Sequence, residues 1–170
     1  GVSGLPTGIN IYGSSMRNVI ISDTIISDCN YGVYTQAGTT WENITLNNVM
    51  AIGCVDGFRI AADGTRLENC KAWRNTNFGI IIQDDVDYAV LEGCEAAYNT
   101  SNGIQIWAST GHESTKNRII NCISHHNGGH GISLLYADAT EVLGNKCFLN
   151  TGKGLSSLYC DLMYIIGNYF

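Results

Sequence analysis

A glycine followed by an apolar, any and an apolar residue recurs along the chain, and this repeat constrains the fold more than any other feature. The spacings between successive glycines are 24, 25, 22, 24, 28 and 23 residues. A fixed period of this size is typical of repeat architectures, so the chain is predicted to be a stack of units of about 24 residues. The repeat glycines are Gly8, Gly32, Gly57, Gly79, Gly103, Gly131 and Gly154.

Three further columns of residues repeat with the same period as the glycines. An alternating segment, such as Ile44 with Leu46, precedes each glycine from the second onward, and period-two alternation predicts a strand. A column of mostly small residues indicates a second inward-facing strand: Ile26, Ala51, Ala72, Ala96, Ser124 and Cys147. Amide side chains satisfy backbone groups at turns, which explains a third column: Cys29, Cys54, Asn75, Asn99, Asn127 and Asn150.

A unit of about 24 residues with short strands and no helical period is too small to close its own core. Parallel stacking of units about 4.8 Å apart closes the core and aligns similar side chains in continuous columns. The sequence therefore predicts an all-β parallel β-helix solenoid of about seven coils. A leucine-rich repeat shares the period, but it needs a leucine ladder where this chain uses Ile, Val, Gly and Cys.

With this coil length and asparagine column, the chain resembles the right-handed pectin-lyase-like superfamily of β-helices over essentially its whole length. The resemblance implies a right-handed solenoid and a scaffold that carries lyases, hydrolases, epimerases and inert spikes alike. Residues 1–170 are expected to form one β-helix domain with uncapped ends. We therefore expect a fragment of a longer chain, with flanking domains or the subunits of a homotrimer covering the open ends.

Charge and hydropathy exclude several kinds of partner. The chain has 9 Lys and Arg against 15 Asp and Glu, a net charge of −6, and no basic stripe that would hold nucleic acid. Its apolar runs are far shorter than the ~20 residues of a membrane span. The seven cysteines are expected to be reduced, buried ladder residues. The resemblance implies a location outside the cell or on a virion surface.

Outward positions two and four residues after the repeat glycines combine amides with aromatic rings. Such residues suit sugars, because a ring stacks on the apolar face of a pyranose while amides bind its hydroxyls. They are also ordinary on any exposed sheet. Together with the edge one coil beyond, this pattern predicts the substrate-binding residues Tyr34, Gln83, Gln105, Trp107, Tyr136 and Asp138.

The 28-residue spacing reflects an insertion at residues 108–116, which brings His112 and Glu113. One coil earlier the equivalent edge carries Asp84, Asp85 and Asp87. Inserted loops on a repeat scaffold are frequent binding sites, so these groups are predicted to gather there. The alternative is that the aspartates only form turns.

The chemistry open to this cluster is proton abstraction beside a uronic carboxylate. We predict Arg59, Asp84, Asp85, His112 and Glu113 as catalytic residues, with Arg59 as a base or a carboxylate clamp. Calcium commonly neutralises the acid in lyases of this fold, and Asp84, Asp85 and Asp138 supply oxygen ligands for it. The predicted function is action on an acidic polysaccharide by a lyase or epimerase mechanism. The alternative is a non-catalytic glycan-binding or structural shaft of a viral tailspike or surface adhesin.

Two local resemblances refine this prediction. The Gly129-His130-Gly131 segment is similar to one in polygalacturonases, but Phe78 and Asn102 stand where that family has acids, and only Asp56 matches. The run Ser124-His125-His126-Asn127-Gly128-Gly129-His130-Gly131 is similar to mannuronan C5-epimerase coils. Their catalytic strand carries Asp-Pro-His-Glu, of which only His112-Glu113 occurs here, in the inserted loop. A metal site at His125, His126 and His130 is not expected, because adjacent histidines on a strand or a turn point apart.

Overall fold

The computed structural model describes residues 5–13, 17–36 and 42–170. Every regular element in these ranges is a β-strand, and the strands stack into a right-handed parallel β-helix of about six turns. The predicted fold class is confirmed. The N-terminal end, which is expected to be uncapped, begins with residues 1–4, and these lie outside the described residues. No helix long and apolar enough to cross a bilayer occurs among the described residues.

Three parallel sheets form the walls of the solenoid, with the 22 strands numbered along the chain. Sheet 1 contains β1 (Ile9–Ile11), β4 (Tyr31–Thr35), β7 (Asp56–Ile60), β10 (Ile80–Ile82), β13 (Ile104–Trp107), β17 (Ile132–Leu135) and β21 (Leu155–Leu158). Sheet 2 contains β2 (Arg17–Ser22), β5 (Glu42–Asn47), β8 (Arg66–Glu68), β11 (Val90–Glu92), β15 (Arg118–Ile120), β19 (Glu141–Leu143) and β22 (Tyr164–Ile166).

The third wall has one strand fewer. Sheet 3 contains β3 (Ile25–Ser27), β6 (Met50–Ile52), β9 (Lys71–Trp73), β12 (Glu95–Ala97), β16 (Ile123–His125) and β20 (Lys146–Phe148). The inserted loop adds a short strand, β14 (Ser114–Thr115), which pairs with β18 (Ala137–Asp138) one coil later. The insertion is therefore held to the body of the solenoid by strand pairing.

The strand registers confirm the columns predicted from the repeat. Ile82 pairs with Ile60 below and Ile106 above, and Ala96 pairs with Ala72 and Ser124. These inward side chains are fully buried in one continuous apolar core. A fully buried Ile or Leu contributes about 1.5–3 kcal/mol, so the core columns are the main source of cohesion between coils.

The repeat glycines are required because successive coils approach too closely for a side chain. A Cβ added at Gly79 would lie 2.5 Å from the carbonyl oxygen of Gly103 and 2.7 Å from Nδ2 of Asn99. At Gly57 it would lie 2.5 Å from the carbonyl oxygen of Gly79. The neighbouring atoms include backbone, which cannot rotate aside, so this column tolerates only glycine.

The predicted asparagine column forms a hydrogen-bonded ladder. The backbone N–H of Asn75 donates to Oδ1 of Asn99 at 3.0 Å, and the N–H of Asn99 donates to Oδ1 of Asn127 at 3.1 Å. A second ladder was not predicted. The N–H of Cys122 donates to Oδ1 of Asn145 at 2.8 Å, and that of Asn145 to Oδ1 of Asn168 at 2.8 Å. It continues the column of Cys70, Cys94 and Cys122.

All seven cysteines are free, and six of them are buried. Six of the seven cysteines therefore occupy buried positions as expected, whereas Cys160 is only half-buried, and the reduced state stays a prediction. Burial raises the pKa of the Cys147 thiol to about 12, so the thiol stays protonated and unreactive in the folded chain.

Candidate functional site

The outward face of sheet 1 carries a groove over its central strands. The groove encloses about 220 Å³. Four of its residues were predicted from the sequence, whereas Phe78 and Ile81 were not predicted as site residues. The lining residues are Arg59, Phe78, Ile81, Gln83, Gln105 and Trp107.

The strand register produces this groove. Arg59, Ile81 and Gln105 pair with one another on β7, β10 and β13 and so form one outward column. Gln83 and Trp107 lie two residues further along their chain segments, in the next outward column. Although Ile81 and Gln105 point outward, they are only 5% and 8% exposed, because the longer side chains around them form the walls.

Arg59 is held rigidly at one end of the groove. Its Nη1 lies 3.1 Å from Oδ2 of the buried Asp56, and its Nε donates to Oε1 of Gln83 at 3.0 Å. Its guanidinium carbon lies 5.0 Å from the ring centroid of Tyr31 and 6.0 Å from that of Tyr34. A guanidinium stays charged and has no acceptor, so of the two predicted roles the geometry favours a carboxylate clamp over a base.

A second network orients the amide of Gln105. Nδ2 of Asn102 donates to Oε1 of Gln105 at 2.7 Å, and Oδ1 of Asn102 accepts the backbone N–H of His130 at 2.6 Å. With its oxygen occupied, the Gln105 side chain presents its NH₂ group as the donor. Asp56 and Asn102 were not predicted as site residues. The signal that could have found them is the position directly before each repeat glycine, which both residues occupy.

The inserted loop places an imidazole–carboxylate pair beside the groove. Nδ1 of His112 lies 2.8 Å from Oδ2 of Asp85, and this hydrogen bond, with the charge of Asp85, raises the pKa of His112. Backbone N–H groups of Glu113 itself and of Gly111 lower the pKa of Glu113. Oγ of Ser114 donates to the carbonyl oxygen of Gln83 at 2.9 Å, so the loop is joined directly to the residue that lines the groove.

Other predicted residues serve the turn at this edge. Oδ1 of Asp87 accepts the N–H of Thr115 at 2.7 Å, and Oδ1 of Asp138 accepts the N–H of Asp161 at 2.8 Å. These two aspartates therefore link neighbouring coils at this edge. The hydroxyl of Tyr136 accepts a hydrogen bond from Oγ1 of Thr110 at 2.9 Å, which ties the edge to the inserted loop rather than to the groove.

The three predicted calcium ligands are not gathered into a ready site. The described residues contain no group of three or more His, Cys, Asp or Glu side chains placed to hold one metal ion. Oδ1 of Asp84 is shielded from solvent and has no hydrogen-bond partner, while Asp138 is engaged at its own turn. Calcium binding by Asp84, Asp85 and Asp138 stays a prediction.

A family model described as a right handed beta helix region matches residues 7–170. The chain belongs to this β-helix family. The match spans all three sheets and the insertion, so the groove and the imidazole–carboxylate pair lie on the family's scaffold.

Several solved structures share the fold. A mutant of the periplasmic alginate epimerase AlgG is 12% identical, with a TM-score of 0.69 over 95% of this chain and 47% of that one. The mannuronan C-5 epimerase AlgE6 A-module of Azotobacter vinelandii is 19% identical, with a TM-score of 0.63 over 89% and 51%. The chain spans about half the length of these proteins. A comparison with curated proteins found no match.

One sequence-based expectation about this β-helix is wrong. His125 and His126 were expected to point apart, yet their Nδ1 atoms lie 2.8 Å from each other. The reason is local: His125 ends β16, whereas His126 has a φ of 55°. This left-handed conformation leaves the strand geometry on which the expectation depended.

Proposed function

We propose that the groove binds a segment of an acidic polysaccharide, and that the chain is the β-helix part of an enzyme of the lyase or epimerase type. The observation that carries the proposal is the pairing, in one groove, of a fixed cation and a half-exposed indole. Arg59 is held by Asp56, and Trp107 is 39% exposed. Between them lie the amides of Gln83 and Gln105.

Each group suits one part of a uronate unit. The indole of Trp107 stacks on the C–H face of the ring, the amides bind hydroxyls, and the guanidinium of Arg59 binds the carboxylate. Binding sites for whole drug-sized molecules span roughly 300–1,000 Å³. The smaller volume of this groove, about 220 Å³, fits part of a polymer that continues along the exposed sheet on both sides.

The structural relatives support this substrate class. Those compared above are an alginate epimerase and a mannuronan C-5 epimerase. Alginate and mannuronan are polymers of uronic acids, whose carboxylates match the cation in the groove. At 12% and 19% identity their residue roles do not carry over, so the chemistry below depends on the side chains of this chain.

A single proton abstraction begins both reactions. A base takes the proton from C5 while the electron pair of the C–H bond moves into the carboxylate, where Arg59 stabilises the added charge. Return of a proton to the opposite face of C5 gives the epimer. Cleavage of the C4–O4 bond instead gives a C4–C5 double bond, and the leaving oxygen takes the proton.

The inserted loop supplies a candidate acid, His112, and a candidate base, Glu113. Asp85 raises the pKa of His112, which favours the imidazolium as the proton donor. Glu113 has a lowered pKa and remains ionised, so it can accept a proton, but the same shift makes it a weaker base. Asp84 adds negative charge near His112 and favours its protonated form. No step uses calcium, because the predicted ligands do not form a ready site.

The second candidate function is a non-catalytic shaft, such as that of a tailspike or adhesin, that holds glycans on the same groove. One observation favours it. The side chains of His112 and Asp85 are 59% and 63% exposed, and active sites that abstract carbon-bound protons usually exclude water.

The experiment separates binding from chemistry. The chain is incubated with mannuronan, alginate and pectate, with Ca²⁺ or with a chelator. Affinity electrophoresis measures binding, proton NMR in D₂O follows exchange and inversion at C5, and ultraviolet absorbance detects unsaturated ends. We expect binding, with Trp107→Ala weakening it about tenfold or more through loss of stacking. Tyr12→Ala, which removes another exposed ring on sheet 1, is the matched control.

The outcomes distinguish the two functions. Exchange at C5 or an unsaturated product supports the enzyme. Binding that depends on Trp107 without any product from the three polymers supports the shaft. If no acidic polymer binds, or if Trp107→Ala and Tyr12→Ala behave alike, the groove is not a polyuronate site.

A further inference from the structure

The turn between sheets 3 and 1 brings two imidazoles together on a face that the groove does not use. Nδ1 of His125 and Nδ1 of His126 lie 2.8 Å apart. His125 ends β16, and His126 lies in the turn that follows it. We propose that this pair, called here the histidine pair, is a chelating site for Cu²⁺.

The first argument is the direction of the lone pairs. Nε2 of His125 lies 3.0 Å from Oε1 of Glu95, and a carboxylate oxygen accepts a hydrogen bond, so Nε2 of His125 carries the proton. Nδ1 of the neutral ring is therefore an acceptor, directed at His126. Only one proton fits between the two Nδ1 atoms. When that proton leaves, each Nδ1 has a free lone pair, and the two atoms lie 2.8 Å apart.

The second argument is the distance. Two ligand atoms at right angles, each about 2.0 Å from a metal, lie about 2.8 Å apart, whereas two tetrahedral ligands lie about 3.3 Å apart. The observed 2.8 Å matches adjacent corners of a square plane. Square-planar nitrogen and oxygen coordination is typical of Cu²⁺ and Ni²⁺, and affinity for divalent ions is highest for Cu²⁺.

The third argument is the support around the ligands. A carboxylate bound to the other ring nitrogen is the usual outer partner of a metal-binding histidine, and Glu95 provides it. Phe148 stacks on His125 with ring centroids 4.9 Å apart, and Tyr98 stacks on His126 at 4.8 Å. These contacts fix both rings before a metal arrives, which lowers the cost of ordering them on binding.

Binding is a simple exchange. Cu²⁺ bonds to both Nδ1 atoms, the proton between them passes to solvent, and no electron is transferred. The two remaining positions of the square plane face the exposed side of His126 and take water or an oxygen ligand. The histidine pair supplies two protein ligands, fewer than the three or more that a closed metal site needs. It is also separate from the predicted calcium ligands.

The test uses CuCl₂ with the whole chain in a weakly coordinating buffer. Calorimetry measures affinity and stoichiometry, and electron paramagnetic resonance counts the coordinated nitrogens. We expect one strongly bound Cu²⁺ per chain with two imidazole nitrogens. His126→Asn keeps a residue that tolerates a positive φ, and it should weaken binding about tenfold or more with only one nitrogen coordinated. His130→Gln, at a histidine whose Nδ1 already accepts the backbone N–H of Lys153 at 2.9 Å, should leave binding unchanged.

A second variant guards against misfolding. His125→Gln should also weaken binding about tenfold or more, and circular dichroism shows whether it retains the β-helix. Zn²⁺ should bind more weakly than Cu²⁺. The proposal is overturned if His126→Asn binds Cu²⁺ as the unaltered chain does, if His130→Gln abolishes binding, or if the spectrum shows no pair of imidazole nitrogens.

Discussion

The ion pair between His112 and Asp85 matters for protonation rather than for stability. Both side chains are more than half exposed, and exposed pairs of this kind contribute little to folding because water and salt screen them. The pair nevertheless raises the pKa of His112. An imidazole that keeps its proton to higher pH is suited to donate one to a bound sugar.

Asp85→Asn should lower the pKa of His112, because the substitution removes the charge and weakens the hydrogen bond that hold the proton. The alkaline limb of any activity that needs protonated His112 should move to lower pH. Any stability that the pair contributes is present below the unfolded-state pKa and is lost as pH rises through the higher folded-state pKa. NMR titration of the imidazole protons measures the shift.

Asp161→Asn is the matched control for this titration, since Asp161 is an exposed aspartate two coils beyond the inserted loop. It should leave the His112 titration unchanged. An unaltered His112 titration in Asp85→Asn would mean that the pair does not form in solution, and the assignment of His112 as proton donor would lose its physical basis.

At the level of single coils, the asparagine ladder pairs backbone groups at the turns, where there is no strand pairing. Oδ1 of Asn99 accepts the N–H of Asn75 at 3.0 Å, and its Nδ2 donates to Oδ1 of Asn127 at 2.9 Å. Both amide ends are used, at a position only 2% exposed. A buried turn that left these backbone groups unpaired would be costly, so the ladder allows each coil to turn tightly.

Asn99→Ala should destabilise the chain by about 3–5 kcal/mol. It leaves the buried N–H of Asn75 unpaired, at about 1–3 kcal/mol, and removes two amide hydrogen bonds worth about 1 kcal/mol each. Urea unfolding followed by circular dichroism measures the loss. Thr100→Ala, at the exposed neighbouring position, should change the free energy of unfolding by less than about 0.5 kcal/mol. Equal effects of the two variants would contradict a structural role for the ladder.

The strands and the asparagine column were predictable from the sequence, whereas the backbone conformation of the turns was not. Ile60, Ile82 and Ile106 share a column because in-register stacking converts a sequence period directly into spatial neighbours. The same period brings Gln105 and Trp107 to the groove.

The turns keep this period as well, since Tyr98 and Leu149 match His126 in the neighbouring coils and share its positive φ. The residue type at this position changes from coil to coil, so the sequence pattern does not reveal the left-handed conformation.

Across the whole molecule, each coil contacts only its neighbours, so cohesion is a sum of coil-to-coil interfaces. Columns of buried side chains cross the interfaces between coils. The buried cysteines, from Cys29 to Cys147, lie in different coils along the stack. A hydrogen bond with Cys94, together with burial, raises the pKa of Cys70, and burial raises that of Cys54. Because the thiolate is the reactive form, these side chains report any opening of the stack.

Thiol labelling should therefore divide the seven cysteines into one fast and six slow sites. Cys160 is the half-buried one and should react with an aromatic disulfide reagent in the folded chain. The six buried thiols should react only as the stack opens, and urea should accelerate them in parallel with the loss of circular dichroism. Cys160→Ser should abolish the fast phase alone. Fast labelling of several thiols in that variant would mean that coils open independently, in conflict with a core shared across the stack.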